Sequence, residues 1–458
     1  MMKRRILFLL ISFFAAANSF SGSFSITGGK GMVSGKKADY MIFEKASKGS
    51  FSFSADSIAL KGLKCYKITL GEEKIDSVLL KSSDYTLSTD SQTVTFNKLS
   101  ANTGYLIQYK DYSYGEELDS YAYTCVVEYK PLKSVSFPKD TVICSDLELT
   151  IEPVMEYFNE YGNVKKITRT LSVKYKSFLR NGETPSVEEV TEEKDGTNSI
   201  LLSAMPYVNT PFEVTDLMAK NDLKLDNQPI VTDTFYTQAV VAYPYMETSS
   251  KYEHEGDEGI DSTLHFFATI EEAKDNAVKF RQSATLVLNF YSYPSDMVNH
   301  YEWAFAEGEQ AKNGDFQGAY TYFGKDINAF EISEPTLHCI ELTVSNIRND
   351  SVCDHKSYAC LQIAKSQLYV PNAFTPNGDN VNDEFRVGYR SIESFEISIY
   401  DQWGRRIYKS DDITKGWDGT FHGDRASIGA YYYVIKAKGT DGEEYLKKGT
   451  ISLIRTKE

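Results

Sequence analysis

The chain has 458 residues, and its 64 acidic and 49 basic side chains give a formal net charge of −15 at pH 7. Nucleic-acid binding rests on Lys and Arg side chains that neutralise phosphates, and these are not gathered in any one segment, so we expect no nucleic-acid partner. The length corresponds to about two to four domains. The 32 Tyr and 26 Phe residues favour pleated, half-buried strands, and the composition therefore predicts a mostly β, multidomain protein.

The first residues carry the pattern of a secretory signal peptide. Met-Met-Lys-Arg-Arg precedes an apolar run at 6–17, and small polar residues follow from Asn18. A basic start, a short apolar centre and small residues at the end are typical of a signal that is removed on export, here residues 1–19. The apolar run is shorter than the roughly 20 residues that cross a bilayer. We therefore expect no transmembrane anchor in the mature chain.

Export favours disulfides over free thiols. The chain contains six cysteines, Cys65, Cys125, Cys144, Cys339, Cys353 and Cys360. The shortest spacing, between Cys353 and Cys360, is too wide for a zinc site of the C-x₂-C kind. Proximity along the chain suggests a bond between Cys65 and Cys125. A hairpin formed by 337–344 and 358–365 would place Cys339 opposite Cys360, which leaves Cys144 and Cys353 either unpaired or joined between domains.

Two predicted Ig-like β-sandwiches follow the signal peptide, at 20–131 and 132–247. Short alternating runs separated by turn-forming residues recur in both segments, and this spacing is typical of sandwiches. The first begins with a Gly-, Ser- and Lys-rich stretch that lacks the spacing of a phosphate-binding loop. In the second, the acidic stretch 183–197 predicts a long solvated loop, and 212–220 could hold a short helix.

The third predicted sandwich occupies 248–366. Its clearest strand alternates so that Tyr301, Trp303 and Phe305 share one face, and the acidic glycine turn 306–309 follows. This W-x-F strand and turn resemble a PKD-type Ig-like domain, although Ala304 stands where that family usually has an acidic residue. Trp303 is expected in the core between the two sheets, because a sugar-stacking role would need it to be exposed.

The last segment, 367–458, is the richest in motifs. Between 371 and 385, two prolines and a glycine impose a non-helical entry, and closely spaced Asn and Asp side chains can bond to nearby backbone. Alternating runs at 395–400, 431–435 and 449–455 complete a compact β unit. Oxygen-bearing side chains at Asn377, Asp379 and Asp383 approximate the alternate-residue ligation of Ca²⁺. The favoured interpretation is that these side chains form Asx turns that stabilise the loop, so no metal site is predicted and calcium is the alternative.

The motif residues of this segment are Pro371, Asn372, Phe374, Pro376, Asn377, Gly378, Asp379, Asn382, Asp383, Phe385, Trp403, Gly404, Trp417, Asp418, Gly419, Gly429, Tyr431, Gly449 and Arg455. Together they resemble the gliding motility-associated C-terminal domain, also called the type B sorting domain of the type IX secretion system. The resemblance implies export to the periplasm by the signal peptide, followed by recognition at the outer membrane and transfer to the cell surface or medium. The sequence departs from the family at Gln402, where Arg or Lys is common.

The sequence contains no H-E-x-x-H motif, no G-x-S-x-G elbow and no cysteine in a recognisable catalytic context. We therefore expect no enzyme activity and no cofactor. The fold class predicted is all-β, with tandem Ig-like and PKD-like sandwiches ending in a β-sandwich sorting domain. The first three domains are expected to act as a stalk or to bind a glycan or protein. The alternative is a glycan-binding protein or hydrolase with its site within 20–247, which exposed aromatics or clustered carboxylates in one cleft would favour.

Overall fold

A computed structural model describes residues 22–34, 38–55, 60–71, 75–111, 118–139, 141–182, 184–250, 263–280, 286–332, 334–348 and 351–455. The predicted signal peptide, 1–19, lies outside the described residues. The fold is all-β and consists of tandem β-sandwiches. The chain divides into two compact units, Met1–Ser177 with Val187–Thr237, and Phe178–Ser186 with Gln238–Glu458. Within the described part, none of the helices has the length and apolar character needed to cross a membrane.

The first sandwich packs a four-stranded sheet, β1-β4-β8-β7, against a six-stranded sheet, β2-β3-β10-β9-β5-β6. Rings from both sheets, among them Phe51, Phe96 and Tyr105, form its core. A 3-10 turn, Ala46–Lys48, precedes β4. The strands are β1 (Gly22–Gly28), β2 (Gly31–Val33), β3 (Tyr40–Phe43), β4 (Ser50–Ala55), β5 (Lys61–Leu70), β6 (Ile75–Leu79), β7 (Tyr85–Leu87), β8 (Thr93–Phe96), β9 (Thr103–Asp111) and β10 (Leu118–Glu128).

The second sandwich contains sheets ordered β11-β12-β17, β13-β14 and β16-β15-β18-β19. A π-helical turn, Met218–Asp222, follows β18. The strands are β11 (Ser134–Ser136), β12 (Glu148–Glu152), β13 (Glu156–Phe158), β14 (Val164–Lys166), β15 (Arg169–Leu179), β16 (Ser186–Gly196), β17 (Ser199–Leu201), β18 (Glu213–Asp216) and β19 (Ile230–Val231).

The acidic stretch predicted as a loop at 183–197 is instead mostly the edge strand β16. Its acidic side chains find partners on the neighbouring strand β15. Glu189 forms an ion pair with Lys174 at 3.0 Å, and Glu192 accepts a hydrogen bond from the Tyr175 hydroxyl at 3.2 Å. Such cross-strand pairs stabilise a sheet, and charge on an edge strand discourages pairing with other chains.

The first two sandwiches share a second core. It joins residues on β3 and β10, such as Ile42 and Val127, to Met155, Phe158 and Met218 of the second sandwich. The middle of β10, residues 122–127, is therefore buried on both faces. This burial accounts for its nearly continuous apolar sequence, because an alternating pattern marks a strand with one solvated face. The two sandwiches of this unit are consequently joined by packing as well as by the chain.

A buried ion pair holds the connection between these two sandwiches. The side chains of Arg169 and Asp216 are both fully buried, and Arg169 Nη1 lies 2.5 Å from Asp216 Oδ2. Arg169 Nη2 donates to the carbonyl oxygens of Lys130 (2.6 Å) and Pro153 (3.2 Å), and the Tyr129 hydroxyl donates to Asp216 Oδ2 (2.9 Å). Burial and the Asp216 carboxylate raise the pKa of Tyr129. The network thus ties the segment after β10 to β15 and β18.

The third sandwich packs sheet β21-β20-β23-β26 against sheet β22-β28-β27-β24-β25. The predicted boundary between 247 and 248 falls inside β20. Its strands are β20 (Tyr245–Ser250), β21 (Thr263–His265), β22 (Val278–Phe280), β23 (Leu286–Tyr291), β24 (His300–Glu307), β25 (Tyr320–Tyr322), β26 (Ile327–Ile332), β27 (Leu337–Arg348) and β28 (Ser351–Ile363), and its helices are α1 (Ile270–Asp275) and α2 (Gly308–Asn313).

Trp303 lies in the core of the third sandwich, as predicted. Its side chain is fully buried, and its indole N–H donates to the Gly324 carbonyl at 3.0 Å. Tyr301 and Phe305 pack against the same cluster. The predicted glycine turn at 306–309 was wrong in detail, because helix α2 begins at Gly308.

One of the two proposed cysteine pairs is confirmed and the other is wrong. Cys339 and Cys360 are directly paired across the β27–β28 hairpin and form a disulfide. Cys65 and Cys125 are both buried and both free. They cannot form a disulfide because β9 lies between their strands, and two strand spacings of about 4.8 Å each are longer than the Cα separation across a disulfide. Burial raises the pKa of the Cys65 thiol to about 12 and that of Cys125 to about 11. Cys144 and Cys353 are each disulfide-bonded.

The fourth sandwich is built around the sheet β30-β37-β36-β32-β33, with the small sheets β29-β31 and β34-β35 beside it. Its strands are β29 (Gln367–Tyr369), β30 (Ala373–Phe374), β31 (Gly388–Arg390), β32 (Ile392–Tyr400), β33 (Arg406–Ser410), β34 (Thr420–Phe421), β35 (Asp424–Arg425), β36 (Gly429–Gly439) and β37 (Glu444–Leu453).

Candidate functional site

The entry segment of the fourth sandwich joins its last strand. Residues after Pro371 form β30, which runs parallel to β37 at the edge of the main sheet. The backbone N–H of Ser452 donates to the Asn372 carbonyl (2.9 Å), and that of Ile454 donates to the Phe374 carbonyl (3.1 Å). The two ends of the motif-rich segment are thereby hydrogen-bonded to each other.

Four of the predicted aromatic residues make one core. The ring centroid of Trp417 lies 5.4 Å from that of Phe374 and 4.9 Å from that of Tyr431, and Phe374 lies 6.1 Å from Phe385. All four are buried. Phe385 and Trp417 also exchange two backbone hydrogen bonds, and the Trp417 indole N–H donates to the Thr420 carbonyl at 2.8 Å. These motif residues therefore define the interior of the domain.

Gly419 lies where three separated motifs meet. Its backbone is left-handed, with φ of +78°, and a Cβ atom there would lie 3.0 to 3.2 Å from atoms of Pro376, Leu453 and Arg455. Arg455 donates from Nη2 to the Gly419 carbonyl (3.0 Å) and from Nη1 to the Ala426 carbonyl (2.6 Å). The guanidinium thus clamps the loop after Trp417 to the end of β37. Glycine is required at this position by both the backbone angle and the crowding.

The loop 377–383 is organised by one carboxylate. Asp383 Oδ1 accepts backbone N–H bonds from Asn377 (2.8 Å) and Gly378 (2.7 Å), and its Oδ2 accepts from Asn380 (2.7 Å). Hydrogen bonding, chiefly from the Gly378 amide, holds the pKa of Asp383 below its ordinary value. Asp379 Oδ2 in turn accepts from the Asn377 side-chain amide (2.9 Å). Two Asx turns lie within the loop, because the Asp379 N–H donates to Asn377 Oδ1 (3.1 Å) and the Val381 N–H donates to Asp379 Oδ1 (2.8 Å).

Asn377, Asp379 and Asp383, the residues of the calcium alternative, therefore lie in one turn, and each accepts at least one backbone N–H through a side-chain oxygen. In the part of the chain that the structure describes, no group of three or more His, Cys, Asp or Glu side chains is arranged to hold a metal ion. Calcium binding by this loop stays the alternative interpretation.

The turn between β32 and β33 carries the one exposed aromatic residue of the signature. Asp401 is buried, and its Oδ1 accepts the backbone N–H groups of Trp403 (3.0 Å) and Arg405 (2.9 Å). Arg405 Nε donates to Asp401 Oδ2 (3.1 Å), and its guanidinium stacks on the Phe421 ring. Burial alone would raise the pKa of Asp401, but these hydrogen bonds hold it below its ordinary value. Trp403 itself is 79% exposed.

The remaining predicted residues are turn or packing positions. Gly449 is the cross-strand partner of Tyr433, and a Cβ atom on it would clash with that ring. Asp418 accepts from the backbone N–H and hydroxyl of Thr420. Left-handed or otherwise glycine-favouring backbone occurs at Gly378, Asn382, Gly404 and Gly429. Sequence reasoning missed Tyr433 and Thr420, because their roles depend on which strands and loops become neighbours.

The arrangement from β29 to β37 coincides with a known family. Residues 368–453 match the family model of the CHU_C type IX secretion signal domain. This segment is a type IX secretion signal domain. The signal domain covers about a fifth of the chain, and its presence implies handling by the type IX secretion system and export to the outer-membrane surface or the extracellular space.

The whole chain is also similar to solved tandem-domain structures. A tetra-tandem repeat from the extending region of a large adhesion protein matches with 12% identity over 95% of this chain and 100% of that chain, at a TM-score of 0.21. A Ca²⁺-stabilised adhesin of an Antarctic bacterium gives 12% identity, 96% and 100% coverage and a TM-score of 0.20. Immunoglobulin domains 1–5 of Sidekick-1 match with 9% identity over 96% of this chain and 93% of that chain, at a TM-score of 0.22. Likeness at this level does not extend to function. Among curated proteins, none matches this chain.

Proposed function

We propose that this protein is a non-enzymatic cargo of the type IX secretion system, displayed on the cell surface or released. Its signal domain serves as the export address, and the three preceding sandwiches form a stalk or binding array. The family match of residues 368–453 carries the export part of this proposal. The secretion machinery of the outer membrane is the expected partner, and the predicted signal peptide supplies the earlier passage to the periplasm.

Features of the first three sandwiches support the proposed role as a stalk. The first two share a core and a buried Arg169–Asp216 pair, and the third carries the Cys339–Cys360 disulfide across its longest hairpin. Fully buried charge pairs resist separation, because removing one partner leaves an uncompensated charge in the interior. A cross-linked hairpin likewise cannot be fully extended. Such devices suit a chain that holds its shape outside the cell.

A second candidate function, glycan binding, is favoured by one surface of the third sandwich. Tyr320 and Phe323 are each more than 60% exposed, at or beside the edge strand β25. Tyr320 stacks near Phe330, which in turn stacks on Phe305 with centroids 4.2 Å apart. Both flat rings can pack against the apolar face of a sugar ring, and Tyr320 also offers a hydroxyl group. The glycan surface proposed here lies outside 20–247, the segment to which the sequence-based alternative assigned such a site.

Three experiments test these proposals and the calcium alternative. Deletion of 368–458 is expected to trap the chain between the two membranes, and a truncated chain that still reaches the surface would contradict the export address. For the binding role, the mature chain and a Tyr320→Ala variant are applied to glycan and protein arrays. Binding that the variant loses supports the glycan surface. If neither form binds any glycan or protein, the binding role is rejected and only the stalk role is retained. Calcium titration of the melting temperature tests the loop 377–383.

A further inference from the structure

The five aromatic residues of the signal-domain signature divide into two groups. Phe374, Phe385, Trp417 and Tyr431 are buried in its core, and the fold accounts for each of them. Trp403 is 79% exposed, so most of its indole surface is left unpacked by its own domain. Exposing a large aromatic ring costs free energy in water, and such residues are the commonest anchors of protein interfaces. Trp403 is therefore the signature aromatic that the fold does not explain.

The backbone that carries Trp403 is rigid. The Asp401 carboxylate is buried and accepts the amides on either side of the turn, and Gly404 adopts the left-handed conformation with φ of +82°. The Arg405 guanidinium is held between that carboxylate and the Phe421 ring. An anchor presented on a preorganised turn binds without the entropy cost of ordering a loop. The turn therefore holds the exposed indole in a fixed position on the domain surface.

Other exposed apolar side chains lie at the same end of the main sheet. Strand pairing of Tyr400 with Tyr432, and of Gly429 with Leu453, brings the β32–β33 turn, the start of β36 and the end of β37 to one end. Trp403, Ile428, Tyr432 and Ile454, each 48 to 79% exposed, are named here the Trp403 surface. Clustered exposed apolar residues on a soluble domain mark an interaction site.

We propose that the Trp403 surface is where the secretion machinery docks on the signal domain, with the indole entering an apolar pocket of the partner protein. The inference rests on the proposed export function, since a signal domain must be contacted by the apparatus that reads it. The net charge of the domain is close to zero. Residues 368–453 contain 11 basic and 13 acidic side chains, a net of 11 − 13 = −2, so most of the chain's −15 lies elsewhere. We therefore base the proposed recognition on the exposed apolar side chains and not on net charge.

The test uses the full chain in the bacterium that exports it, with Trp403→Ala, Trp403→Phe and Leu446→Ala variants. Leu446 is 60% exposed in the same domain but pairs with Lys436, toward the other end of β36 and β37, so it is the matched control. Protease treatment of intact cells measures the surface fraction, and fractionation measures the periplasmic one. Trp403→Ala is expected to lower the surface-to-periplasm ratio by about tenfold or more, the scale of a lost interface anchor. Trp403→Phe is expected to retain most export, and Leu446→Ala all of it.

Three results would overturn the inference. The first is normal export of Trp403→Ala, and the second is an equal loss with Leu446→Ala. The third is a lowered melting temperature of purified Trp403→Ala, which would assign the indole to folding. The deletion of 368–458 distinguishes failure of the proposed export function from failure of the docking surface. If that deletion abolishes export while Trp403→Ala does not, the signal domain is needed for export but the Trp403 surface is not its docking site. If the deletion is exported, the proposed function itself fails.

Discussion

The buried Arg169–Asp216 pair yields the sharpest test of how the first two sandwiches are joined. Asp216→Asn keeps the shape of the side chain and removes its charge, which leaves the fully buried guanidinium of Arg169 without a counterion. Loss of one partner from such a pair costs about 3–5 kcal/mol. At about 1.4 kcal/mol for each factor of ten, amides that exchange through opening of β15 and β18 should exchange roughly a hundredfold to several thousandfold faster.

Hydrogen exchange with mass spectrometry on the full chain measures this effect, because it reports peptides from β15 and β18 separately. The exposed ion pair Lys139–Asp233, 3.0 Å long in the same unit, supplies the control. Asp233→Asn should change exchange by less than about fivefold, since exposed pairs contribute under about 1 kcal/mol. Replacing both buried partners, with Arg169→Met and Asp216→Leu, should restore most of the protection. Equal exchange in Asp216→Asn and Asp233→Asn would refute the reasoning.

Three further predictions concern the signal domain and the disulfide between strands β27 and β28 of the third sandwich. Gly419→Ala should lower the free energy of unfolding by about 2–3 kcal/mol, because both the left-handed backbone and the crowded surroundings oppose a Cβ atom. Gly423→Ala, which has a similar φ but open space around it, should cost only about 1 kcal/mol. Equal melting temperatures of the two variants would show that crowding at Gly419 contributes nothing. Replacing Cys339 and Cys360 by Ser should destabilise the third sandwich by about 3 kcal/mol, from the closure of a loop with a separation of 21 residues, and an unchanged denaturation midpoint would contradict this. Because the pKa of Asp383 is lowered on folding, its stabilisation of the loop is full above about pH 4 and is lost as the pH falls through the folded pKa; amide exchange should show this loss, and Asp383→Asn should abolish it.

Local patterns predicted local structure well. The alternation around Trp303 placed that side chain in a core, and hairpin register alone placed Cys339 opposite Cys360. Both inferences depend only on neighbouring strands. The pairing of Cys65 with Cys125 failed, because it depends on β9 lying between their strands. Distance along the chain carries no information about the order of strands in a sheet.

The candidate site shows the same division. The motifs around Trp403 and Trp417 are alike in sequence, each a tryptophan beside a glycine and within two residues of an aspartate, yet one ring is exposed and the other is buried. Only the tertiary fold separates them. The Arg169–Asp216 pair was missed for a related reason, since charged residues are expected at the surface and these two stand 47 positions apart. Burial of charge is decided by packing of distant segments, which no short pattern encodes.

The place of β37 in the main sheet of the fourth sandwich has a consequence for synthesis. It lies between β30, which precedes it by about seventy residues, and β36, which also pairs with the earlier strand β32, so β30 alone has no partner strand until β37 has been made. A polypeptide interrupted before Glu444 leaves β30 without the strand it pairs with and removes one wall of the aromatic interior. Incomplete translation products therefore lack the finished fold of the signal domain, and on the proposed function we expect them not to be exported.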